Sequence, residues 1–221
     1  MELATAVKER RSIRKFKPDD VPRNLITEIL DMARWSPSWG NTQPWEFYVL
    51  TGECLAKFKE MNQNKQAVGE APFPDVRMPQ KWSDVLKARY EETVGNLLTA
   101  QGIIRENKDA RNQYYREMAS LFGAPCLILS CIPQASSVEY AMLDMGLIIQ
   151  TICLSAYEKS LGTCIMASAV LYPSAMREIA SIPDDKKIVA GIALGYPDPA
   201  FPINTFIRKR AEISEIIHWV N

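Results

Sequence analysis

Three guanidiniums and a hydroxyl fall within five residues at Arg10, Arg11, Ser12 and Arg14, and a second basic run occupies Arg208, Lys209 and Arg210. Arginine forks match phosphate oxygens two at a time, and serine adds a neutral donor. Hydrogen bonds to charged groups contribute roughly 1.5–3 kcal/mol each, so two or three would anchor a phosphate. Taken singly, each run reads equally as a solvated basic turn. A third stretch, 36–45, holds Pro37, Ser38, Trp39, Asn41 and Gln43. Its amides donate and accept at once, which suits the edge of a heterocycle, although a turn between helix and strand has the same composition. In a fourth stretch, 161–168, small residues around Met166, Ala167 and Ser168 would let backbone N–H groups approach a ligand closely, or would simply pack a core strand.

Other chemistries are excluded by counting. His218 is the only histidine, which removes His-rich metal sites and leaves a Ser-His-Asp triad with one terminal candidate; a structural role is expected for it, and no metal site is expected. The five cysteines form no C-x-x-C pair, and most sit in apolar runs. They read as buried free thiols in a reducing compartment, the cytoplasm. Cys126 and Cys131 lie an odd number of residues apart, so on a strand they face opposite sides. There is neither a G-x-G-x-x-G turn nor a phosphate loop of the G-x-x-x-x-G-K type. Lys plus Arg equals Asp plus Glu, so charge gives no argument for nucleic acid or an anionic membrane, and neither is expected as a partner. The N-terminal residues are polar, without the apolar core of a signal peptide.

The elements that must position these residues follow from periodicity. At 221 residues with 47% hydrophobic and 24% charged, the chain suits one domain with a full core. Helices are expected over 2–9, after Pro22 with an apolar face of Leu25, Ile26, Ile29, Leu30 and Ala33, over 53–61, 82–104 and 109–121, over 137–161, and over 173–180. Gly162 is expected to cap the helix over 137–161. Strands are expected at 45–50, 124–132 and 187–194, and a strand or extended loop at 163–168. The helix over 137–161 is apolar nearly all round, as in a core or an interface. The polar, proline-rich and aromatic stretch 54–116 reads as a lid or as a surface insertion. Strands alternating with helices give an α+β or α/β layer fold.

Taken together, R-R-S-I-R-K-F at 10–16, A-R-W-S-P-S-W-G-N-T-Q-P-W-E-F-Y-V at 33–49, D-M-G-L-I-I-Q at 144–150 before L-G-T-C at 161–164, and G-Y-P at 195–197 ahead of R-K-R-A at 208–211 resemble the nitroreductase family of FMN-dependent flavoproteins. The resemblance covers most of the chain outside 54–116. It implies a single α+β domain over 1–221, in three layers with an antiparallel or mixed central sheet flanked by helices, in an intertwined homodimer with flavin at the interface. It places Arg10, Ser12 and Arg14, with Arg11 beside them, and Arg208 and Arg210 on the FMN phosphate and ribityl chain. Pro37, Ser38, Trp39, Asn41 and Gln43 match the loop that reaches flavin, mostly from the partner subunit. Met166, Ala167 and Ser168 match the segment near flavin N5. The bulky Trp39 and the Ala167–Ser168 pair stand where family members often carry smaller residues. The implied activity is ping-pong reduction of nitroaromatic, quinone or related acceptors by NADH or NADPH, with flavin rather than a side chain carrying the chemistry. Specialised flavin chemistry on the same fold (reductive dehalogenation, flavin fragmentation or dehydrogenation) and a non-catalytic flavin-binding protein are the alternatives.

Overall fold

A computed structural model describes residues 1–104 and 106–220. Its centre is a sheet of four strands: β1 (Glu46–Leu50), β2 (Cys126–Pro133), β3 (Gly162–Met166) and β4 (Lys186–Gly195), in the order β1-β2-β4-β3, with every neighbour antiparallel. β2 is buried from Cys126 to Ile132, as its continuous apolar run predicts. Alternation splits it between two cores. Leu127, Leu129 and Cys131 enter one, while Cys126, Ile128 and Ile132 enter the other. The two cysteines therefore do face opposite sides, and all five are free thiols.

Helices cover both faces, giving three layers. On one side lie α1 (Leu3–Glu9), α2 (Arg23–Ala33) and α6 (Val138–Glu158); α2 buries Ile26, Ile29 and Ala33 against the same core as α6. On the other lie α3 (Gly52–Ala67), α5 (Lys108–Ala119) and α7 (Pro173–Ala180), with α4 (Asp84–Ala100) farther out. By length and composition α6 could cross a membrane, yet nine of its residues are buried, seven of them in this core. Its other face exposes Tyr140, Leu143 and Leu147 at helical spacing.

Three expectations need correction. The helix expected over 53–61 extends to Ala67, because polar Asn62 is buried and donates to the Ala119 carbonyl at 2.8 Å. With Phe58 fully buried, a side chain worth about 1.5–3 kcal/mol of burial, α3 is core rather than insertion. Within 54–116 it is α4 that is mostly exposed. The second correction is at the end of α6. Ser160, at φ 60°, takes the left-handed position, and the Leu161 N–H reaches back to the Ala156 carbonyl at 2.9 Å. Gly162 instead opens β3, where a Cβ would stand 2.4 Å from Ile13 Cγ1. Third, where a strand or extended loop is expected to 168, the strand ends at Met166, and the chain turns tightly through Ala167–Val170.

Candidate functional site

The segment 10–16 runs extended along the free edge of β3. Ser12 bridges Thr163 in parallel, the Ile13 N–H donates to the Thr163 carbonyl at 2.9 Å, and Phe16 bridges Pro197. Extended backbone alternates its side chains. Ile13 turns inward onto Gly162, and Arg11 donates to the carbonyls of Asn204 (3.1 Å) and Phe206 (3.4 Å). Arg10, Ser12 and Arg14 turn the other way, into a cavity of about 170 Å³.

The returning tail completes that cavity with Phe206, Arg208 and Arg210. Asn204 fixes the return. Only 4% exposed, it accepts from the Arg14 N–H at 2.8 Å and donates to the carbonyls of Lys15 (2.8 Å) and Asp198 (2.9 Å). Arg208 donates to the carbonyls of Arg10 and Lys8. Burial, and then the charges of Arg11, Arg210 and Arg10, push the Arg208 pKa below its ordinary value. Arg10 Nε is shielded from solvent without a hydrogen-bond partner among the described residues. Crowded cations and an unused buried donor have the chemistry to receive a dianion such as a phosphate monoester.

The basic runs at 10–14 and 208–210, which the family resemblance put on one phosphate, lie together here, except that Arg11 clamps the tail instead of lining the cavity. Met166 ends the same strand, about 10 Å beyond Thr163 at roughly 3.3 Å per residue, and Ala167 and Ser168 open the tight turn that follows it. Met166 is buried, while Ala167 is exposed at the turn. The loop with Pro37, Ser38, Trp39, Asn41 and Gln43 packs elsewhere within the protomer, on α6. Ser36 Oγ donates to Thr151 Oγ1 at 2.8 Å, the Trp39 N–H donates to Asp144 Oδ1 at 2.9 Å, and the Trp39 and Tyr140 ring centroids are 5.9 Å apart. Gly40, Asn41 and Gln43 have φ of 56°, 56° and 48°, a strained left-handed path for the two amides that leaves them exposed.

Several contributors escape sequence reasoning. Glu92, Thr93 and Asn96 of α4 line the cationic cavity, with Glu92 paired to Lys209. Nothing local in α4 marks them. Asn204 carries no periodic signal either. Asp144 did leave a trace: a buried acid in an otherwise apolar helix, inside the D-M-G-L-I-I-Q motif. His218 lies exposed in the tail, so the structural role expected for it is not seen.

The chain is similar to known proteins along most of its length. The nitroreductase family model matches residues 7–196. A 4-nitrobenzoate reductase of Nocardioides sp. (strain LMS-CY) is 34% identical over 206 residues, covering 89% of this chain and 81% of the relative. A 4-nitrobenzoate reductase of Pseudomonas putida is 31% identical, covering 99% and 96%. The crystal structure of the FMN-dependent nitroreductase NfnB from Mycobacterium smegmatis in complex with NADPH superimposes with a TM-score of 0.92 at 27% identity, covering 100% of both chains. With its family signature running through the strand edge, the α6 loop and the sheet that joins them, this chain belongs to the nitroreductase family.

Proposed function

We propose that the chain binds FMN and uses NADH or NADPH to reduce nitroaromatic or related small acceptors. The observation that carries this is the convergence of Arg10, Ser12, Arg14, Arg208 and Arg210 on one cavity with a buried, unpartnered Arg10 Nε. That donor set fits the FMN phosphate. Bound there, FMN would supply the two-electron chemistry between nicotinamide and acceptor.

The chain's own part is binding and placement. The five side chains hold the phosphate end, and β3 directs the remainder toward Met166, Ala167 and Ser168. Met166 itself pairs with Gly191 of β4, so the backbone N–H groups that could stabilise negative charge at the flavin edge are those of the turn that follows, Ala167 and Ser168. The α6 loop then belongs to the site of a second copy. The exposed stripe of Tyr140, Leu143 and Leu147, beside Trp39, supports a homodimer built on α6. α4, exposed and resting on the tail, serves as the lid. Free thiols without a paired partner suit a reducing cytoplasm.

The test is an absorbance spectrum of the purified protein, repeated anaerobically with NADPH and then NADH. Flavin bands that bleach support the reading. Bands that persist with both donors move the protein to the flavin-binding alternative. Arg10→Ala should weaken FMN binding about tenfold or more, the loss of one charged hydrogen bond; unchanged affinity would remove the phosphate assignment.

A further inference from the structure

The loop 36–45 is held on α6 at two points. Buried Ser36 donates to Thr151 Oγ1 at 2.8 Å, and the Trp39 N–H donates to Asp144 Oδ1 at 2.9 Å. Thr151 and Asp144 lie two turns apart, so the loop runs about 10 Å along the helix, at 1.5 Å rise per residue and against its direction. At 100° per residue, Tyr140, Asp144, Leu147 and Thr151 fall on one stripe. Tyr140 and Leu147 are exposed there, whereas Asp144 is only 3% exposed. The loop therefore rides on the same stripe that carries the exposed apolar side chains of α6.

A carboxylate buried in so apolar a helix is costly unless it is hydrogen-bonded. The group that meets it is the backbone N–H of Trp39, the first residue of the tight turn Trp39–Asn41. Beyond that bond the backbone is left-handed at Gly40, Asn41 and Gln43. The Asn41 N–H donates to the Ser38 carbonyl at 3.0 Å, and the Gln43 N–H donates to Ser38 Oγ at 2.9 Å. The Gln43 side-chain amide donates to the Asn41 carbonyl and to Asn41 Oδ1 at 3.3 Å each. All of these ties lie within the loop itself, and both amide residues are exposed. Left-handed backbone at residues other than glycine persists only where its surroundings over-determine it. Asp144 supplies that constraint from outside the loop, through a charge-assisted hydrogen bond shielded from water.

We propose that Asp144 is a positioning residue for the flavin site of a second copy: through the Trp39 N–H it sets the path on which Asn41 and Gln43 present their amides beside the exposed face of α6. The proposal rests on the reading that this loop serves the partner's site.

Asp144→Ala should weaken FMN binding about tenfold, the loss of one charged hydrogen bond. Asp144→Asn, whose amide oxygen still accepts, should recover part of that loss. The deciding measurement is FMN titration of a mixed dimer, purified from differently tagged Asp144→Ala and Arg10→Ala chains. One of its sites pairs an intact cradle with an intact loop, and the other combines both lesions. The mixed dimer should bind one FMN with the parent's affinity, although each variant alone binds weakly at both sites. If Asp144 only supports its own protomer, the mixed dimer has no tight site; that result, or an Asp144→Ala variant with the parent's FMN affinity, overturns the proposal. Should Asp144→Ala fail to fold, Trp39→Pro deletes the same N–H from the exposed side, at the first position of a turn where proline is tolerated, and takes its place in the mixed dimer. A parent protein that binds FMN as a monomer overturns the dimer reading and the proposal with it, whereas a tight site missing only from the mixed dimer overturns the proposal alone.

Discussion

The strand-edge cradle and α4 border the same cavity but are held by different forces. Arg10, Ser12 and Arg14 sit on backbone that is hydrogen-bonded to β3 and pinned by the buried side chain of Asn204. α4 is tied to the tail by Glu92–Lys209 and Arg89–Glu215, with side chains 43–66% exposed. Exposed pairs of this kind contribute about 0.2–1 kcal/mol, whereas a buried polar group left without its partner costs roughly 1–3 kcal/mol. The cavity thus joins a fixed wall to a loosely tethered one. That division suits a cofactor that stays and an acceptor that comes and goes.

The comparison can be broken most directly at Asn204. Asn204→Ala should cost about 3 kcal/mol, since it strands the Arg14 N–H and two carbonyls; chemical denaturation should show a lower midpoint, and FMN affinity should fall with it. A stable variant with full FMN affinity would show that the cradle does not depend on this hub. A second test uses the sheet beneath the cradle. Burial pushes the Cys126 and Cys131 thiols up to about 12. In the unfolded chain they ionise near their ordinary value, so above it the unfolded state holds fewer protons than the folded one. Stability is therefore intact below about pH 9 and should fall toward pH 12, by about 1.4 kcal/mol per pH unit for a thiol such as Cys126. Cys126→Ala should make the decline shallower in denaturation curves measured at pH 8 and pH 10. The smallest effect is expected on the loose wall. Glu92→Gln should change stability by less than about 1 kcal/mol and should tighten FMN slightly, because it removes the carboxylate that lines the cavity. A marked loss of stability would make α4 part of the fixed wall.

How much of this was legible depends on the range of the forces involved. β2 follows from a continuous apolar run and the buried face of α2 from a local 3.6-residue pattern, so both read directly from the sequence. Both arginine runs are visible as chemistry for the same reason: residue type and spacing are local. Which arginines share a cavity is different. Arg11 departs from Arg10 and Arg14 only because the segment is extended, and extension is imposed by pairing with β3, far away in the chain. The length of α3 was unreadable because Asn62 is polar. It becomes a core residue only where the Ala119 carbonyl meets it. α4 gives no sign of its role, since the face that lines the cavity acquires meaning only from the tail it meets.

The sequence by itself determined a layered fold of alternating strands and helices, α+β or α/β, the basic residues able to hold a phosphate and the thiols that stay unpaired; the choice of three-layer α+β came with the family resemblance. These depend on side-chain chemistry and on periodicities spanning a few residues. Only the tertiary structure decided that the arginines of the two ends meet, that Gly162 serves as a contact for Ile13 rather than a helix cap, and that Asp144 holds the Trp39 N–H. Each of those rests on contacts between segments distant along the chain, where geometry is set by packing that no local pattern encodes.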